Sequence, residues 1–84
     1  MTIKETADFL GELKKLPLEI GNFFKKQKSL FGKNWLDARL HTKRIKEMPG
    51  TYSFRITRRY RVLFYFKNAE EAVFFSIGHR KDIY

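Results

Sequence analysis

The chain has 84 residues, 43% hydrophobic and 17% aromatic, and its 18 Lys and Arg against 9 Asp and Glu give a formal charge of +9. That length allows one domain, residues 1–84, with a small core; the aromatic content excludes a disordered tail, and the lack of cysteine excludes disulfides and thiolate metal sites. The charge is more than solubility needs and points to phosphate backbones first, with acidic membranes or an acidic protein partner behind.

The first ten residues, MTIKETADFL, carry Lys4, Glu5 and Asp8 where a secretory signal needs an unbroken apolar run. No stretch approaches the roughly 20 apolar residues of a membrane span. A soluble, cytoplasmic protein without membrane contact is expected.

Thr6 is placed to cap a short helix with Phe9, Leu10 and Leu13 on one side, ending before Pro17. The Thr2 to Glu5 spacing would start that helix earlier, so Ile3 falls in a helix or in a short first strand. Pro17 suits the first turn of a second helix, in which Ile20, Phe23, Phe24, Leu30 and Phe31 recur at helical spacing until Gly32 offers a stop. That stripe reads as core. Lys25, Lys26 and Lys28 on the opposite face read first as a solvated surface and second as phosphate contacts. Residues 33–48 have weak periodicity and are expected to be turn and loop, with a short helix near residues 35–40, before a turn at Pro49 and Gly50.

The second half is strand-like. TYSFRIT, YRVLFYF and AVFFSIG are apolar, aromatic and β-branched runs that read as an antiparallel meander. Tyr52, Phe54 and Ile56 share one face, and Val62, Phe64 and Phe66 share another that should meet the same core. The predicted register sets Ile56 opposite Val62 and Phe54 opposite Phe64, because a slip of one residue would drive Arg55 and Arg61 inward. Arg58, Arg59 and Tyr60 then form the hairpin loop. Arg55 and Arg61 become diagonal neighbours on an exposed face, within reach of one phosphate.

A guanidinium pair on a rigid sheet can cradle a phosphate and stabilise charge developing on it. Cleaving RNA also needs a group to take the 2′-hydroxyl proton and a group to protonate the departing 5′-oxygen. His79 is the obvious titratable candidate, although a lone surface histidine is commonly without chemical role; His41, in RLHTKRIK, reads more strongly still as a plain loop residue. Strict alternation from Ile77 would turn His79 toward the core, so Gly78 is expected to break the strand and re-aim the residues after it. Two distant histidines give no metal-ligand spacing and the scattered glycines form no phosphate loop, so neither a metal nor a cofactor is expected.

LKKLP near the start, the block LHTKRIKEMPGTYSFRITRRYRVLFYF and the ending SIGHRKDIY together resemble the RelE/ParE superfamily of toxin–antitoxin toxins. The resemblance spans essentially the whole chain, most specifically in the hairpin and the terminal G-H-R-x-x-I-Y. It implies an α+β fold: a short N-terminal strand, two helices, then an antiparallel three-stranded meander packed on the helices, with the site on the concave sheet face. The RelE-like branch implies a metal-independent endoribonuclease that cuts mRNA in the 30S ribosomal A site by 2′-hydroxyl attack. The ParE-like branch implies the alternative, a DNA gyrase inhibitor without nuclease activity.

Carried over by position, Arg61 matches the phosphate-binding arginine and Arg55 a position that is basic in many RelE-like toxins. Arg80 matches a basic residue after the last strand, Tyr84 the terminal aromatic, and His79 a position that is basic or histidine, with acid/base work as its role. Ser53 stands where some members have a lysine that serves as base. Other branches place a Glu or His before the hairpin, which makes His41 and Glu47 reserve acid/base residues. Arg58, Arg59, Lys43, Lys46 and Lys81 are expected to bind RNA. The implied partners are mRNA, the ribosome and a cognate antitoxin whose acidic or amphipathic segment covers the basic face.

Overall fold

A computed structural model of the chain describes residues 1–83, so Tyr84 lies outside the described residues. The elements are β1 (Thr2–Glu5), α1 (Ala7–Lys14), α2 (Leu18–Lys33), a 3-10 turn (Ala38–Leu40), β2 (Lys43–Arg44), β3 (Thr51–Arg55), β4 (Tyr60–Asn68), β5 (Glu71–His79) and α3 (Arg80–Ile83). The sheet order is β1-β5-β4-β3-β2, with β1 parallel to β5 and the other pairings antiparallel. The expected meander is the middle of this sheet. The short strands β1 and β2 extend it to 5 strands, and β2 falls in the stretch whose periodicity was too weak to predict a strand.

Thr6 caps α1, its Oγ1 accepting the Phe9 N–H at 3.1 Å, and Ile3 is in a strand. Pro17 sits one position earlier than predicted, at the N-cap of α2, where its missing N–H costs the helix nothing. α2 runs through Gly32 to Lys33 before Asn34 turns extended. Leu10 and Phe23 belong to the solvent side rather than the core, each 41% exposed, because each helix buries a narrower stripe than its apolar content suggests.

Phe31 of α2 is fully buried at the centre of the core. Its ring meets Phe54 of β3 at 5.3 Å, Phe64 of β4 at 4.9 Å and Phe74 of β5 at 5.1 Å, the last two edge-on. Phe9 and Phe24 close on Phe74 from the other side. These contacts decide which face of each central strand is interior.

The hairpin register differs from the predicted one by two residues: Phe54 pairs with Val62, Tyr52 with Phe64 and Arg55 with Arg61. A slip of two preserves every residue's face, so alternation alone cannot see it. The Ile56 N–H bonds to the Tyr60 carbonyl at 3.0 Å, so Thr57, Arg58 and Arg59 form the loop and Tyr60 opens β4.

β5 is a continuous strand through Gly78 to His79, so Gly78 does not break it. Two irregularities lie earlier: Leu63 pairs with Ser76 but Phe64 with Phe74, leaving Phe75 as an extra residue, and Phe66 pairs with Ala72 but Asn68 with Glu71, leaving Lys67 extra on β4. Glu12 of α1 accepts the Ile77 N–H at 3.2 Å on its Oε1, at the strand edge that β1 does not reach. No helix among the described residues is long and apolar enough to cross a membrane.

Phe31→Ala should remove about 3–5 kcal/mol of stability, a large share of the roughly 5–15 kcal/mol typical of a domain. Urea denaturation measures it, and a loss under about 1 kcal/mol would show that the three strands do not depend on this ring.

Candidate nucleic-acid interface

With Phe54, Phe64 and Phe74 turned to the helices, the opposite sheet face carries Ser53 and Arg55 on β3 and Arg61 and Leu63 on β4. Arg55 and Arg61 are direct cross-strand partners rather than diagonal ones. Gly78 stands next in this row, opposite Arg61. A Cβ at Gly78 would lie 3.0 Å from Ile83 Cγ2, so the missing side chain is what lets α3 settle onto this face. Met48 and Ile83 lie together at the rim of a hollow that also contains Leu63.

Arg61 is not the exposed arginine expected. It is 5% exposed, and its Nη1 donates to the carbonyls of Thr57 at 3.0 Å, Arg58 at 2.7 Å and Tyr60 at 3.3 Å. One guanidinium end therefore organises the hairpin loop from within. Arg59 N–H bonds to Thr57 Oγ1 at 3.3 Å, and Arg80 N–H to the Arg59 carbonyl at 2.7 Å, which pins the start of α3 to the same loop. Arg58, Arg59, Arg80 and Lys81 are exposed around this junction, with Arg55 half-buried beside it. None of these five forms an ion pair with a described residue. Fixed backbone and unneutralised cations make a preorganised anion site.

His79 is on the other face. It pairs with Tyr60, the two rings 5.5 Å apart, and its Nδ1 accepts the Lys81 N–H at 3.1 Å, capping α3. The neutral imidazole that makes this bond carries its proton on Nε2. The sheet therefore lies between the His79 ring and the Arg55 and Arg61 side chains.

His41 is exposed and is the one non-glycine among the described residues with positive φ, 49°. It ends the 3-10 turn that Asp37 caps: Asp37 accepts from Arg39 N at 2.9 Å, Nε at 3.0 Å and Nη2 at 2.8 Å. The hydrogen-bonded Arg39 side chain lowers the Asp37 carboxyl to about 2, so the pair stays charged at neutral pH. Lys43 pairs with Ser53 and Arg44 with Tyr52, and His41 stands two residues before this ladder, in the left-handed conformation. Lys43, Lys46 and Glu47 line a groove of about 660 Å³ together with Met48 and Ile83. The structure thus gathers Arg55, Arg61, Arg58, Arg59, Arg80 and Lys81 at one end of the sheet, with Lys43, Lys46, Glu47 and the His41 turn along the adjacent edge. His79 alone is set across the sheet, and no three His, Asp or Glu of the described residues gather as a metal would need.

No family model matches the chain, and no curated protein matches it. Solved structures do. A RelE from a RelB–RelE antitoxin–toxin complex of Methanococcus jannaschii matches 96% of this chain and 94% of its own, at 27% identity and a TM-score of 0.77. YafQ of E. coli strain BL21(DE3) matches 98% of this chain and 96% of its own, at 14% identity and a TM-score of 0.81. A YoeB/ParE toxin of Agrobacterium tumefaciens matches 95% of this chain and 99% of its own, at 12% identity and a TM-score of 0.79. The chain has the α+β fold of the RelE/ParE superfamily of toxins, the fold that the resemblance implied.

Arg61→Ala should cost about 1–3 kcal/mol, because loop carbonyls lose their donor, whereas Arg55→Ala should stay within about 0.5 kcal/mol. Urea melts of both variants compare them, and equal small losses would deny Arg61 its scaffolding role.

Proposed function

We propose that the chain is the toxin of a type II toxin–antitoxin pair and acts as an endoribonuclease on mRNA in the ribosomal A site, without a metal. The observation that carries this reading is the cluster of Arg55, Arg58, Arg59, Arg61, Arg80 and Lys81 around a backbone-pinned loop on a RelE-like sheet. Relatives of the same fold are toxins solved with their antitoxins, which supports an antitoxin partner here.

In this reading Arg55 and Arg80 hold the scissile phosphate from the surface, while Arg61 acts from beneath as charge and loop scaffold. The 2′-oxygen attacks phosphorus, the bond to the 5′-oxygen breaks, and a 2′,3′-cyclic phosphate and a 5′-hydroxyl result. We assign the 2′-hydroxyl proton to His41, because its turn leads directly into β2, the neighbour of the Arg55 strand, and His79 is across the sheet, occupied as a helix cap. The departing 5′-oxygen is stabilised by the guanidinium cluster until water protonates it. Tyr84 is proposed to orient the substrate, Lys43, Lys46, Arg58, Arg59 and Lys81 to bind RNA, and Glu47 to stand second to His41. Cleavage on ribosomes would place the protein in the cytoplasm.

Primer extension on mRNA from expressing cells should show codon-phased cuts. His41→Ala should lower cleavage about a hundredfold or more, and Arg55→Ala should abolish growth inhibition in a folded protein. Full activity in His41→Ala with loss in His79→Ala would return proton transfer to His79. Gyrase inhibition without mRNA cuts would establish the ParE-like alternative instead.

A further inference from the structure

Gln27 is the one polar residue on the buried stripe of α2, between Phe24 and Phe31, and it is only 8% exposed. A buried amide needs partners, and Gln27 has found them outside its helix. Its Nε2 donates to the Arg55 carbonyl at 2.9 Å and to the Arg39 carbonyl at 3.1 Å, using both amide hydrogens.

The two acceptors define what this side chain does. Arg55 is the last residue of β3, and β2 pairs with β3 only at Ser53 and Tyr52. Had β2 begun earlier, the residue level with Arg55 would be His41, but His41 is turned into the left-handed region and lies outside the ladder. Gln27 supplies the donor that the missing strand residue does not. The same amide holds Arg39, two residues before His41, in the 3-10 turn that ends there. One helix side chain therefore joins the end of the arginine strand to the histidine turn, elements that share no ladder hydrogen bond at that level.

We propose that Gln27 is a positioning residue, which sets the His41 turn against the Arg55 strand. This rests on the ribonuclease reading only for its catalytic consequence. A purely structural glutamine would lose stability on replacement and leave the chemistry of the folded protein unchanged. A positioning one loses rate in the fold that remains, since small misplacements of catalytic groups are costly.

The test is Gln27→Met, which keeps the volume and removes both donors, measured at a temperature where the variant is fully folded. Amide exchange of the full chain should quicken at least tenfold at His41 and Ile45 while β4 and β5 stay within twofold. In cleavage of programmed ribosomes, kcat should fall tenfold or more with KM within twofold. Added to His41→Ala, Gln27→Met should lower kcat less than twofold further. Unchanged exchange at His41 and Ile45, unchanged kcat in the folded variant, or full additivity with His41→Ala would each overturn the inference. If the unaltered protein cuts no RNA, the proposed function falls, and the exchange result by itself upholds or overturns the role of Gln27.

Discussion

The ring of Phe31 is the constraint on which the sheet depends. By touching a phenylalanine on each of β3, β4 and β5 it fixes which face of three strands is interior. A strand has only two faces, so the choice for Phe54, Phe64 and Phe74 is also a choice for their neighbours. Arg55 and Arg61 are on the outer face because those phenylalanines are on the inner one. The cationic site is thus a by-product of the parity the aromatic core imposes.

The extra residue Phe75 then alters that parity at the far end of β5. Before it, Ala72 and Phe74 face inward; after it, Ile77 does, with His79 on the same side and Gly78 opposite Arg61. Glu12 accepts the N–H at Ile77, so the irregularity is bonded rather than merely tolerated. Two consequences meet here: His79 leaves the arginine face, and the glycine arrives where α3 must approach closely. A single insertion rearranges which residues can share a substrate.

The arginines divide by burial. Arg61 and its carbonyl partners form the framework, while Arg55, Arg58, Arg59 and Arg80 present charge to solvent. An arginine suits the first role because its rigid fork satisfies several acceptors at once, and the second because it remains charged at any cellular pH. Around them Gln27, through bonds to distant carbonyls, and the Asp37–Arg39 pair, locally, hold the adjoining turn, and both are built from residues that composition would count only as polar.

Much of this was legible in the chain itself. The helical half before the strand half, the Thr6 cap and the faces of Phe54 and Phe64 come from spacing and residue type, which act locally. The register of the hairpin, the burial of Arg61 and the unbroken path through Gly78 were not legible, because a two-residue slip keeps every face and an arginine's partners are carbonyls that carry no sequence signal. Gln27 left a trace, a polar residue in an apolar stripe, yet its acceptors lie 12 and 28 residues away. The sequence by itself determined the two main helices, the three central strands and the sign of the surface, and its resemblance implied the fold family. Only the tertiary structure decided which cations share a face and that His79 is set across the sheet from them, since those depend on register, a bulge and long-range hydrogen bonds that no local pattern encodes.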